Sequence, residues 1–317
     1  MLRLGAEYRR RQFLPGLALF LCLFVTACFL DEDQAAVAVN EGGTTSGEVS
    51  SQGEVSRPGE VLRSGEAFRP GEASLKVSPE CWADVSALKR RRVDSVIDGD
   101  TLRLAGGESL RLVGVNTPEM GRDGRRDEPL ARRASQALEA VSGPGDYVWL
   151  RQAEDGQDRY GRLLAYAYDG SGRSISGLLI AQGLGFHVAV APNVHLADCL
   201  DSQEKQARSA QLGVWSESEF SPRAVSKLTV GKGGFTLIRD RVSRVSFKDN
   251  GWWVQLGGKL GLKIAEADQS RFSRQELLAL DGVMVETRGW LVPMSGGWWM
   301  MKLSHPSLLQ RTSDLSK

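Results

Sequence analysis

Between Val96 and Arg162 the chain spaces carboxylates, arginines and one amide in a way that suits chemistry on a phosphate ester. Asp98 and Asp100 flank Gly99, Arg111 stands in Leu110-Arg111-Leu112, Asn116-Thr117-Pro118-Glu119 follows, and Asp158-Arg159-Tyr160-Gly161-Arg162 comes later. Hydrolysing a phosphodiester needs a cation to polarise the phosphoryl group, a base for the attacking water and fixed positive charge facing the transition state. Asp98 and Asp100 offer hard oxygens of the kind calcium takes, roughly six to eight at about 2.3 to 2.6 Å. The planar fork of an arginine donates two parallel hydrogen bonds to phosphate, which suits Arg111 and Arg162. Glu119, held on a stiff turn by Pro118, is placed to handle a proton. Each stretch alone has an ordinary explanation: an Asp-Gly pair makes hairpin turns, and a lone Arg or Glu is commonly a solvated surface residue.

Taken in order, and closed by Leu212-Gly213-Val214-Trp215, these stretches resemble the active-site pattern of the staphylococcal nuclease (thermonuclease) family. The resemblance implies that Asp100 binds calcium directly, that Asn116 and the Thr117 carbonyl complete the metal site, and that Asp98 lies one layer further out. It implies that Arg111 grips the scissile phosphate, that Arg162 bonds the phosphate and stabilises the transition state, and that Glu119 is the general base or orders the solvent. Arg159 and Tyr160 match the pair that contacts the terminal phosphate. The implied activity is cleavage of DNA and RNA with little sequence preference, leaving a 3′-phosphate and a 5′-hydroxyl.

Two departures stand out. The staphylococcal enzyme has an aspartate where this chain has Asn116. An amide oxygen still ligates calcium but brings no charge, so weaker calcium binding or broader metal tolerance is expected. The family's tyrosine-rich run before Pro192-Asn193 is replaced by His187-Val188-Ala189-Val190-Ala191. Stacking a base on an aromatic contributes about 1 to 3 kcal/mol, so the family's base preference and its affinity for the product nucleotide do not carry over to this chain. His187 and His195 read as ordinary polar residues.

Those residues must be held by a small β-rich scaffold. Val93 to Ile97 is a β-branched strand, Arg111 faces opposite to its leucine neighbours, and helices are expected over 130–141, 175–182 and 200–212. With 317 residues, 41% hydrophobic and 25% charged, the chain suits two modest domains rather than one continuous core. Residues 78–221 are expected to form the nuclease domain, an OB-fold barrel with helices as the family resemblance implies. Residues 229–312 alternate like five further strands, with a helix over 273–280, and again resemble an OB-fold, giving a β-barrel protein with helices (α+β).

The N-terminus reads as a targeting segment over residues 1–27: four arginines precede an apolar run, Phe13 to Phe24, too short for a comfortable membrane span. Val25-Thr26-Ala27-Cys28 resembles a bacterial lipobox, which implies lipidation of Cys28 and, with Phe29 after it, attachment to the outer membrane facing periplasm or cell surface. Residues 28–77 repeat Gly-Glu every six positions between Ser, Arg and Pro and read as a disordered tether. Cys22 leaves with the signal and Cys28 takes lipid, so Cys81 and Cys199 are expected to pair in an oxidising compartment. The protein is expected to act as a monomer.

Charge is uneven. Residues 81–221 hold 17 Lys and Arg against 20 Asp and Glu, whereas residues 222–317 hold 15 against 8. A basic module with the paired tryptophans Trp252-Trp253 and Trp298-Trp299 suits nucleic acid, and one tryptophan of each pair is expected in the barrel core. Two other readings compete. A barrel that binds nucleic acid without cutting it has no need of Glu119, and only the lipobox and tether speak for a structural or adhesion lipoprotein.

Overall fold

Gly99 decides how tightly the first barrel can turn. Its two neighbouring strands, β1 (Lys89–Asp98) and β2 (Thr101–Leu104), pair antiparallel across it. A Cβ on Gly99 would lie 2.6 Å from Thr117 Oγ1 and 2.7 Å from Ala134 Cβ. Only glycine lets the turn press against Thr117 and the helix behind it. The computed structural model that shows this describes residues 77–121, 124–229 and 233–315. The expected targeting segment, Cys28 and the tether up to Lys76 lie outside the described residues. No helix among the described residues is long and apolar enough to cross a membrane.

Next along the chain come β3 (Ser109–Leu112), the short β4 (Val115–Asn116), α1 (Ala131–Ser142), β5 (Tyr147–Gln157) and β6 (Leu163–Tyr168). The barrel closes in the order β1-β2-β3-β6-β5, with β3 and β6 parallel and the other pairings antiparallel. Alternation does the work: Leu110 and Leu112 are buried while Arg111 between them stays partly open. On α1, Ala134 and Leu138 enter the core and Val141 packs beside it. Burying one such leucine contributes about 1.5 to 3 kcal/mol.

Then follow α2 (Ile175–Ala181), β7 (Phe186–His187) and α3 (Ala197–Ser209). Ser174 caps α2 by accepting from the Gly177 N–H at 3.2 Å. The third helix starts three residues before the expected Leu200 and ends at Ser209. The expected disulfide is present: Cys81 and Cys199 are bonded with their Cα atoms 5.6 Å apart, tying the turn Pro79–Cys81 to α3.

The second barrel comprises β8 (Gly234–Lys248), β9 (Gly251–Leu256), β10 (Leu260–Ile264), α4 (Arg274–Leu278), β11 (Met284–Pro293) and β12 (Trp299–Lys302), with β13 (Leu309–Arg311) added beside β11. Its ring runs β8-β9-β10-β12-β11 and back to β8, with β10 and β12 parallel. That repeats the first barrel, including the helix between the third and fourth barrel strands, and both are OB-fold arrangements.

Two details differ from expectation. The β8–β9 turn is Asp249-Asn250, both at positive φ, rather than Asn250-Gly251, because Gly251 already pairs with Lys248. Neither Trp252 nor Trp253 is fully buried: Val254 and Leu256 take the core positions, Trp252 packs at the core's margin, and Trp253 lies near Gly261 with Lys263 Nζ 5.5 Å from its ring centre. In the other pair Trp299 is buried and Trp298 exposed, as expected.

Among the described residues the two barrels are packed together within one compact unit. Ala189 and Ala197 join the second core, and Leu237 joins a small cluster with Phe186 and Val214. Alternate residues of β11 face α3. Glu286 bonds Arg208 at 2.6 and 2.9 Å, and Arg288 pairs with Glu204. His187, fully buried, donates its backbone N–H to Glu204 at 2.7 Å and its Nε2 lies 3.1 Å from Ser307 Oγ. It is a structural node between the barrels and not a base. Arg239 also bonds Glu286 at 2.8 Å, so part of the second barrel's positive charge is already matched by acids.

Candidate active site

Gly99 holds the Asp98–Asp100 turn against Thr117, and that proximity builds the site. Asp100 is buried: its Oδ2 accepts from the Thr117 N–H at 3.0 Å and meets Arg111 Nη2 at 2.9 Å, while its Oδ1 accepts from Thr101 Oγ1 at 3.2 Å. Asp98 Oδ1 accepts from the Asp100 N–H at 3.2 Å. Burial, with the nearby negative charge of Asp98, raises the Asp100 carboxyl above the usual carboxylate range against the pull of Arg111.

Arg111 is locked from below. Its Nη1 donates to the Leu112 carbonyl at 2.6 Å and the Val115 carbonyl at 2.8 Å, and its Nη2 reaches Asn116 Oδ1 at 3.3 Å. Asn116 in turn is fixed because β4 pairs with β7, setting Asn116 opposite Phe186. Arg162 ends the Asp158–Arg162 turn. Asp158 Oδ2 accepts from Arg162 Nε at 2.7 Å, and Gly161 sits at φ 77, a left-handed position natural to glycine. Tyr160 is 70% exposed, with the Arg159 and Arg162 guanidiniums 4.8 and 5.6 Å from its ring centre.

Glu119 opens to solvent at the edge of this cleft, and its carboxyl is raised by burial, then by Asp100 and Asp98. From the edge of the cleft it faces the water that enters the cavity, the place a general base needs. Glu128 steadies it by accepting from the Glu119 N–H at 2.9 Å.

Asp98, Asp100, Arg111, Asn116, Glu119, Arg159, Tyr160 and Arg162 thus line one cavity of about 730 Å³. Thr117 contributes from the layer behind, through its backbone. Among the described residues, no group of three or more His, Cys, Asp or Glu side chains could hold a metal. The candidate cation donors that line the cleft are the Asp98 and Asp100 carboxylates and the Asn116 amide oxygen, whereas Thr117, expected to lend its carbonyl, does not line it. That all-oxygen set, with Asp98 and Asp100 side by side on one turn, fits a hard cation such as calcium.

The family model described as "Staphylococcal nuclease homologue" matches residues 109–217, a stretch that holds Arg111, Asn116, Thr117, Glu119 and Arg162 but begins after the Asp98–Asp100 turn. The thermonuclease of Staphylococcus hyicus is 30% identical over 128 residues, 39% of this chain and 75% of that protein. The chain belongs to the staphylococcal nuclease family. Endonuclease YncB of Bacillus subtilis is 31% identical over 132 residues, 40% of this chain and 62% of the relative, and endonuclease YokF of the same organism is 29% identical over 132 residues, 40% of this chain and 44% of the relative. The chain therefore spans less than two thirds of the length of these two.

Six residues that line this cleft were not expected from the sequence: Met120 and Gly121 directly after Glu119, and four with charged or aromatic side chains. Arg125, Arg126 and Glu128 sit on the loop after Glu119, and Trp290 comes from β11 of the second barrel. The Arg-Arg pair was a visible signal. For Trp290 the signal was its place on the outward side of an alternating strand, beside buried Leu291.

Proposed function

We propose that this protein is a calcium-dependent nuclease that hydrolyses phosphodiester bonds of DNA and RNA with low sequence preference. The observation that carries it is the convergence of Asp100, Arg111, Glu119 and Arg162, from four separate segments, on one cavity. Asp100, Asn116 and the Thr117 carbonyl would hold the cation, with Asp98 beside them, and the cation would supply Lewis acidity toward the phosphoryl oxygen.

The side chains do the rest. Arg111 and Arg162 orient the phosphate and face the charge that gathers on its oxygens. Glu119 takes the proton of the attacking water as the new P–O bond forms. The bond to the 5′ oxygen breaks, and that oxygen leaves as a hydroxyl after gaining a proton from solvent, so the 3′ product keeps the phosphate. Arg159 and Tyr160 contact a terminal phosphate. The 3′-phosphate outcome rests on family resemblance alone.

We propose further that Cys28 carries lipid and anchors a monomer in the outer membrane, the tether holding the barrels away from it. The lipobox sequence supports this. Cys28→Ala should move the protein from the membrane to the soluble fraction. The nuclease reading is tested by digestion of single-stranded DNA, duplex DNA and RNA with calcium or a chelator: calcium-dependent breakdown of all three supports it, and inert substrates sink it. A binding barrel without catalysis is the alternative, opposed by Glu119 lining the cleft together with Arg111 and Arg162, since binding alone has no need of the glutamate.

A further inference from the structure

Trp290 belongs to the second barrel yet lines the cleft that contains Asp100, Arg111 and Arg162. It also lines an adjoining hollow of about 400 Å³, walled by Phe186, Phe220 and Phe235 and sharing Asn116 and Glu119 with the cleft. The indole therefore stands where a phosphate-binding surface meets an aromatic one.

Its position is built in. Along β11, Glu286 and Arg288 bond Arg208 and Glu204, one helical turn apart on α3, and Trp290 is the next residue on that same side. Phe235 lies opposite Trp290 in the β8–β11 ladder and meets it edge to face at 5.3 Å between ring centres. Phe186 lies 5.4 Å from Phe235 and braces it in turn. Aromatic pairs in such arrangements contribute beyond their buried area. Trp290 nevertheless stays 43% exposed.

The first barrel, by contrast, presents little aromatic surface in the stretch before Pro192. His187, Val188 and Ala189 are buried there, and Val190 is the exposed member. We infer that Trp290 is the base-stacking platform of this enzyme: a nucleobase next to the scissile phosphate packs on its indole, so that the second barrel supplies part of the nucleotide subsite. The ligand class follows from what adjoins the ring. Arginines that suit a phosphate lie in the same cavity, and in a nucleic-acid strand the group one sugar away from a phosphate is a flat, apolar-faced base. Stacking of this kind is sequence-tolerant because every base has a π-face.

The inference rests on the nuclease reading, and its test separates the two. Full-length wild type, Trp290→Ala and Trp290→Phe are compared on a short single-stranded oligothymidylate and on an oligomer of tetrahydrofuran abasic sites, which keeps the phosphates and lacks bases. Cleavage gives KM and kcat, and anisotropy of the labelled oligomers, with calcium and with chelator, gives Kd whether or not cleavage occurs. Circular dichroism reports whether each variant is folded. The expected result is a rise of roughly five- to a hundredfold in KM and Kd for Trp290→Ala on oligothymidylate, little change on the abasic oligomer, and near wild-type behaviour for Trp290→Phe. Equal affinities of wild type and both folded variants would overturn the stacking role, as would the same loss on the abasic oligomer. If Trp290→Ala does not fold, Trp290→Leu takes its place, keeping apolar bulk without a π-face: it must lose the preference for oligothymidylate over the abasic oligomer, and retention of that preference overturns the proposal. Absent cleavage with a base-dependent Kd would refute the nuclease reading and leave the stacking site standing.

Discussion

The two barrels share a strand order, a parallel closing pair and a helix in the same interval, yet only one gathers a reactive set of side chains. The first connection shows why. In the first barrel it is Asp98-Gly99-Asp100, folded inward against Thr117 with both acids buried; in the second it is Asp249-Asn250, a tight hairpin with both residues in solvent. The third strands differ likewise: Leu110-Arg111-Leu112 offers a guanidinium where Leu260-Gly261-Leu262 offers none. An OB-fold ring is thus a frame, and the site depends on which connections carry charge inward. What the second barrel contributes comes instead from the outer side of β11, through Glu286, Arg288 and Trp290.

The comparison breaks first if the chemistry does not reside in the first barrel. Arg162→Ala should cost about 10²- to 10³-fold in kcat while DNA affinity measured by anisotropy changes little, because the lost bond acts on charge that develops in the transition state. A near wild-type rate at saturating calcium would remove Arg162 from the site.

The joint between the barrels is the next test. Arg288→Ala leaves Glu204 buried without its partner, and breaking such a pair costs about 3 to 5 kcal/mol. Replacing both, Arg288→Met with Glu204→Gln, which keeps an acceptor for the His187 N–H, should be far milder. Urea unfolding of wild type and the two variants checks this, and equal losses for the single and the double variant would mean the pair does not hold the joint. Cutting the chain after Ser221 is a poorer test, since Leu237 and Phe235 of the second barrel cover Phe186 of the first.

A smaller change is expected at Asn116. Asn116→Asp adds a charged oxygen donor and should lower the calcium concentration for half-maximal activity, on the order of tenfold. It also gives Arg111 a charged neighbour in place of the amide it now bonds. An unchanged calcium requirement would mean that Asn116 does not serve the metal.

The smallest effect concerns pH. Burial, then the charge of Arg288, pushes His187 down to about 3 from 6.5, so its contribution to stability is whole above pH 6.5 and is lost as pH falls toward about 3. Burial pushes Glu204 up to about 7 from 4.5, so its contribution is whole below pH 4.5 and is lost as pH rises through about 7. Between about 4.5 and 6.5 the two slopes oppose each other. His187→Gln removes the first, so the melting temperature of the variant should climb more steeply than that of wild type as pH drops from 6.5 to 4.5. Parallel profiles would remove His187 from the joint.

Much of the first barrel was legible because its signals are local. Alternation exposed Arg111, the Asp-Gly-Asp turn announced a close approach, and two cysteines remained to pair. The second barrel's strands were legible for the same reason. What alternation could not give was which tryptophan enters a core, since Trp252 and Trp253 both yield to Val254 and Leu256. Nor could any local pattern reveal that Trp290 lines one cleft with Asp100 and Arg162 across 128 and more residues of chain, or that Arg288 would be matched by Glu204 rather than left for phosphate. Those depend on how two folded surfaces meet.

On the proposed reading, four segments of the first barrel converge to cut a phosphodiester with calcium and Glu119. Initial rates on single-stranded DNA for wild type and Glu119→Gln, each with calcium and with chelator, test it most directly. The account predicts rapid cleavage by wild type with calcium, and little in the other three conditions while Glu119→Gln still binds the strand. Equal rates for wild type with calcium and with chelator, or undiminished cleavage by Glu119→Gln, would contradict it.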